Sequence, residues 1–203
     1  MLIFKNNINP LYFIHIPRTA GRYLRELFVH NEYIINHWDF GEFFYGKEIP
    51  HLQYPFYSKF TNYGKINQFT IVRNPVDRFI SMFCANLIKN NLILNKKILN
   101  NKFLLFEFLE NNINYVNFNT NWFLPQHHFI NHNCKIWKLE YGLDNKFYKW
   151  MESNFKVKFK IKNINKNKYS TEYDFYKKIK LNKKTIRYIK EFYKHDYKLL
   201  NYK

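Results

Sequence analysis

The chain has 203 residues, a formal net charge of +18, 21% aromatic residues and two cysteines. That length suits one domain with a full core, and two cysteines, Cys84 and Cys134, build no disulfide framework. No apolar run reaches the roughly 20 residues of a membrane helix, and the N-terminus lacks a basic-then-apolar leader pattern. The expectation is a single cytoplasmic domain over residues 1–203. The charge calls for an anionic partner: nucleic acid, a membrane surface, an acidic glycan or a multiply charged cofactor. Against that stands composition. The chain is rich in Asn, Lys, Ile, Phe and Tyr, as an AT-rich genome favours, and the lysines between 156 and 184 suit a plain solvated surface.

In chain order, an apolar strand is predicted over 11–16. A helix over 21–29 follows, with Tyr23, Leu24, Leu27 and Phe28 at helical spacing. A short strand is placed at 33–35, a strand over 68–72 and a helix over 76–89. The interval 90–101 is broken by Asn and Lys and has no clear boundaries. A helix over 102–111, a strand over 135–139 and a helix over 143–154 come next. Residues 162–170 are polar and aperiodic, a loop. From 171 on the pattern is helical, with Ile186, Ile189, Phe192 and Tyr193 on one stripe. Strands alternating with helices predict an α/β fold with a parallel sheet and crossover helices.

Two strand ends carry anion-binding chemistry. Pro17-Arg18-Thr19-Ala20-Gly21-Arg22 joins the first strand to the first helix. There the amides of Thr19, Ala20 and Gly21 open a helix whose dipole favours an anion, and Arg18 and Arg22 add charged forks. The lysine and spaced glycines of a Walker loop are absent. The second is "FTIVRNPVDRFISMF", 69–83. Phe69, Ile71 and Val72 form a strand that ends at Arg73, and Pro75 and Asp77 suit a helix start. Arg73 and Ser81 are candidates for one phosphate. The alternative is an Arg73–Asp77 ion pair with Ser81 as a small packing residue.

Together, "FIHIPRTAG" and "FTIVRNPVDRFISMF" resemble the two donor-binding motifs of sulfotransferases that use 3′-phosphoadenosine 5′-phosphosulfate (PAPS). The resemblance is to the carbohydrate branch that includes heparan sulfate 2-O-sulfotransferase and short bacterial and viral relatives. "HLQYPFYSKF", "NWFLPQHHFI", "WKLEYGLDNKFYKWME", "INKNK" and "FYKHDYKLLNY" resemble further family segments, more loosely. The resemblance implies a P-loop-like three-layer fold: a central parallel sheet flanked by helices, with a helical C-terminus. It implies transfer of a sulfuryl group to an acceptor hydroxyl by in-line displacement, leaving 3′-phosphoadenosine 5′-phosphate (PAP), with no metal. Residues 18–23 (Arg18, Thr19, Ala20, Gly21, Arg22 and Tyr23) then hold the 5′ end, and Arg73 and Ser81 the 3′-phosphate. Arg18 stands where the family more often has lysine, and Arg22 where a small hydroxyl residue is commoner. An arginine stabilises charge but does not readily give up a proton.

The acceptor hydroxyl needs a base, and histidine suits because its ordinary pKa lies near working pH. His51 matches the family's catalytic histidine by position, and His37 is the second candidate. His15, inside the first strand, reads as a packed core histidine. His37, Gln126, His127 and His128 are candidates to meet the acceptor. His127, His128, His132 and Cys134 form a dense cluster, but no carboxylates accompany it, so a cleft-lining or surface role is favoured over a metal. Asn165, Lys166 and Lys168 are candidates to close over the adenine, or simply a solvated loop.

Two rival classes are weighed. A nucleic-acid-binding protein explains the charge and the aromatics but not the paired motifs. A P-loop kinase lacks its Walker lysine and an acidic magnesium ligand. The expected partner is therefore a glycan or other hydroxyl-bearing acceptor, not nucleic acid and not a membrane interior.

Overall fold

The computed structural model describes residues 1–5, 8–38, 43–44, 46–60, 66–89, 122–160 and 181–203. The predicted helix at 102–111, the interval 90–101, the loop at 162–170 with Asn165, Lys166 and Lys168, and the stretch 171–180 lie outside those residues. The chain divides into two compact units: Met1–Arg73 with Gln126–Ile164, and Asn74–Pro125 with Asn165–Lys203.

The first unit is built on a five-stranded sheet, in the order β3-β1-β2-β6-β7. Its strands are β1 (Leu2–Lys5), β2 (Ile8–Ile14), β3 (Ile34–Asn36), β6 (Asn67–Val72) and β7 (Lys135–Lys138). The strands β4 (Phe43–Phe44) and β5 (Lys47–Glu48) pair with each other apart from it. β2, β6 and β7 run parallel, with Leu11 opposite Asn67, Ile14 opposite Thr70 and Phe69 opposite Lys135. β1 is antiparallel to both β2 and β3. The predicted α/β class holds, and the parallel part of the sheet is its β2-β6-β7 half. β1 is an addition to the predicted strands, and its antiparallel pairing makes the sheet mixed.

Alternation along the strands sorts side chains to two faces. Phe13, Phe69 and Ile71 point to the face covered by α1 (Gly21–His30), which brings Leu24, Leu27 and Phe28, and by α4 (Asn145–Phe155), which brings Phe147, Met151 and Phe155. Asp144 caps α4 by accepting from the Lys146 amide at 2.9 Å, which starts that helix two residues later than predicted. Tyr57 of α2 (Phe56–Phe60) meets the Tyr12 ring, centroids 5.4 Å apart, from the opposite face. Each fully buried aromatic or aliphatic side chain stabilises the fold by about 1.5–3 kcal/mol.

In the second unit, α3 (Pro75–Lys89) packs against α5 (Lys183–Phe192), which α6 (Lys194–Leu199) follows. Asn74 caps α3, accepting from the Val76 amide at 3.0 Å. Arg78 is wholly buried; its Nη2 donates to the carbonyls of Trp122 and Leu124 at 3.1 and 2.7 Å. The Tyr193 hydroxyl donates to the Phe123 carbonyl at 2.6 Å, so one tripeptide is held from two helices. Among the described residues no helix is long and apolar enough to cross a membrane.

Candidate active site

The register of β2 on β6 brings their C-terminal ends to one edge of the sheet, where open α/β sheets bind ligands. The Thr70 hydroxyl donates to the Ile14 carbonyl at 2.7 Å and ties the two ends together. From this edge emerge residues 15–20 on one side and Arg73 on the other.

The turn 17–20 has an unusual backbone. Arg18 and Ala20 both adopt positive φ, 67° and 68°, which costs roughly 1–2 kcal/mol each for a residue with a Cβ. Such strain is concentrated at functional sites, and alternating left-handed residues turn successive amides toward one concave spot. Ala20 caps α1 without a side-chain hydrogen bond, and Leu24 makes the first helical bond, to the Ala20 carbonyl at 3.1 Å. The amides of Gly21, Arg22 and Tyr23 precede that bond, at the positive end of the helix dipole. Arg22 is exposed and Arg18 half-buried. Backbone donors plus guanidinium forks fit an oxyanion.

Two side chains of this stretch bond within the protein. Thr19 is fully buried and its hydroxyl donates to the Ile16 carbonyl at 2.8 Å, so it braces the turn from below. The Tyr23 hydroxyl bonds to the Leu143 carbonyl at 3.4 Å and lies 3.1 Å from the Tyr148 hydroxyl, tying α1 to α4. Burial pushes the Tyr23 phenol above its ordinary pKa.

His51 ends the 3-10 turn Ile49–His51 and is 2% exposed. Its Nδ1 lies 3.1 Å from the His15 carbonyl. A carbonyl only accepts, so Nδ1 carries the proton and Nε2 is the basic nitrogen. The His15 ring lies 4.5 Å from the His51 ring and 4.9 Å, stacked, from the Trp38 ring. Its other neighbour is Gly21, where any Cβ would overlap the His15 imidazole. Burial, and then the charge of His51, hold the His15 pKa well below the ordinary histidine range. His37, the second candidate base, precedes Trp38 in a left-handed conformation (φ 60°) and is half-buried.

Gln126, predicted to meet the acceptor, is fully buried and bonded to backbone. Its Oε1 accepts from the Arg73 amide at 2.9 Å and its Nε2 donates to the Arg73 carbonyl at 2.8 Å. It fixes the residue that follows β6. His127 is half-buried, its ring 4.5 Å from that of the exposed His128. His132 is exposed, and the Cys134 thiol bonds to the Lys135 carbonyl at 3.5 Å. Among the described residues no three His, Cys, Asp or Glu side chains converge as metal ligands. Ser81 sits on α3 in the second unit and is 1% exposed. Sequence reasoning missed Trp38 and the part His15 plays, since ring contacts between residues so far apart in the chain leave no local periodic signal.

The family model described as "Sulfotransferase family" matches residues 9–203. Comparison with curated proteins and with solved structures gave no significant match.

Proposed function

The chain belongs to the sulfotransferase family and is a transferase; from that premise we propose that it moves a sulfuryl group from PAPS to a hydroxyl of a carbohydrate, with His51 as base. The observation that carries this reading is the hydrogen bond from His51 Nδ1 to the His15 carbonyl, three residues before Arg18. It ties a histidine with a basic Nε2 to an oxyanion-binding turn.

PAPS supplies an activated sulfuryl group on a phosphate leaving group. The turn fits the 5′ end of such a donor, with amides at the head of α1 and the guanidinium groups of Arg18 and Arg22. His51 Nε2 takes the acceptor's hydroxyl proton as the acceptor oxygen bonds to sulfur and the sulfur–oxygen bond to the leaving phosphate breaks. Arg18 and the α1 amides face the negative charge that grows on the leaving oxygen, where preorganised donors act most strongly. Arg18 does this as a fixed cation and gives up no proton. Arg73, held by Gln126 at the end of β6, takes the 3′-phosphate. The sequence motif alone assigns Ser81 to the same phosphate. We read residues 1–203 as one sulfotransferase domain, because the family match runs through both units. The reaction as written uses no metal, and the acceptor is a glycan rather than nucleic acid.

Thermal unfolding with nucleotides tests the donor assignment. PAP raises the melting temperature well above AMP or ATP on this account, since only PAP carries both phosphates. Stabilisation by single-stranded DNA but not by PAP would overturn it in favour of a nucleic-acid-binding protein.

A further inference from the structure

We propose that His15 is a positioning residue: its ring is the spacer that sets His51 relative to the donor-binding turn. The inference rests on the reading of His51 as base and of residues 18–23 as donor turn.

The His15 imidazole is 7% exposed and touches both halves of the site. On one side it occupies the space a Gly21 side chain would fill, at the first residue of α1. On the other it packs against the His51 and Trp38 rings, with Phe13 behind it at 5.7 Å. Its Nδ1 is buried and, among the described residues, has no hydrogen-bond partner. A buried polar atom left unpaired is costly, and most native structures remove it. Here the ring's place in the stack, not its hydrogen bonding, is what the structure uses. The charged or titratable groups that face it are His51 from the 3-10 turn, the Met1 α-amino group from β1, Arg18 from the turn and Arg22 from α1. All are cationic or neutral, so His15 remains neutral and does not compete with His51 for the acceptor's proton. Movement of the α1 start is transmitted to His51 through one rigid ring, because close-packed interiors pass on displacement rather than absorb it.

The test combines three variants, His15→Ala, His15→Phe and Gly21→Ala, with the double variant Gly21→Ala/His15→Ala. PAP affinity is read by calorimetry, and the His51 tautomer by nitrogen NMR of histidine-labelled protein. His15→Ala should weaken PAP binding about tenfold and mix the His51 tautomers, and His15→Phe should restore both. Gly21→Ala should also weaken binding, and adding it to His15→Ala should cost nothing further, because the obstructing ring is gone. Additive losses, an unchanged His51 tautomer in His15→Ala, or failure of His15→Phe to rescue would each overturn the spacer role. If His15→Ala does not fold, His15→Phe and Gly21→Ala decide the matter: Phe must keep the Nδ1–H form of His51 and Gly21→Ala must disturb it. These readouts do not require sulfate transfer. Loss of the base assignment through an active His51→Ala enzyme is therefore a separate result.

Discussion

Gln126 and Arg73 exchange two hydrogen bonds, at 2.9 and 2.8 Å, between a buried side-chain amide and the backbone of the residue that follows β6. The pair closes a strand end as another strand would, but with one side chain. Gln126→Leu removes both of these bonds from the Arg73 backbone, a loss of about 1–3 kcal/mol. Gln126→Glu is expected to be worse still. A carboxylate accepts from the Arg73 amide but faces its carbonyl with no proton to donate. Urea unfolding of both variants, with PAP affinity alongside, checks this. Wild-type stability in Gln126→Glu would show that the clamp does not matter.

Gly21 opens a helix, where alanine is ordinarily better by up to about 1 kcal/mol. Contact with the His15 ring reverses the sign. Gly21→Ala should destabilise the protein by roughly 1–3 kcal/mol, in line with overpacking elsewhere. A rise in melting temperature would contradict the close packing of the two residues.

Arg18 and Ala20 hold positive φ, which glycine adopts without strain. Ala20→Gly should be neutral to about 1 kcal/mol stabilising, the relief being partly offset by unfolded-chain entropy, and should leave PAP affinity intact. Arg18→Gly relieves the same strain but deletes a charge-assisted contact, so affinity for PAP should fall at least about tenfold while stability holds. Denaturation and calorimetry on the two variants separate strain from binding. Equal affinity in both would remove Arg18 from the donor site.

Burial keeps the His15 pKa below the ordinary value near 6.5, so the unfolded chain binds the extra proton and the folded chain resists it. Stability is thus fully present above about pH 6.5. It falls as pH drops below that value, by up to about 1.4 kcal/mol per pH unit for one proton. Urea midpoints at pH 5, 6, 7 and 8 should decline toward acid, and His15→Phe should flatten the slope. A wild-type profile no steeper than that of His15→Phe would contradict burial of a neutral imidazole.

In the second unit, the buried Arg78 guanidinium holds two carbonyls and lies 5.8 Å from the Tyr193 ring centroid. Arg78→Met strands the Trp122 and Leu124 carbonyls, at a cost of about 1–3 kcal/mol each. Tyr193→Phe loses only its bond to Phe123, about 1 kcal/mol. Chemical denaturation should rank the two in that order.

The elements that carry the motifs were legible because each obeys a local rule. α1 follows helical spacing from Gly21, and β6 carries the apolar residues Phe69, Ile71 and Val72 just before Arg73. β2 begins three residues earlier than predicted, at Ile8, and takes in Pro10. Pairing with β6 starts at Leu11, so the missing Pro10 amide costs no bond on that side. β1 was missed because four residues are too short for a period-2 pattern to stand out. What joins the site is non-local: His51 meets His15 across 36 positions, and Gln126 meets Arg73 across 53. The resemblance to family segments pointed to His51 and Gln126. Only the tertiary arrangement shows that a carbonyl pins one ring nitrogen of His51 and that the Gln126 amide is bonded to the Arg73 backbone.

The most direct test of the central claim is transfer of radiolabelled sulfate from PAPS across a panel of carbohydrate acceptors, comparing wild type with His51→Ala. The account predicts a labelled glycan from the wild type and a rate lowered by about 10²–10⁴-fold in the variant. Undiminished transfer by His51→Ala would contradict the role given to His51, and a wild type that labels no carbohydrate would contradict the acceptor.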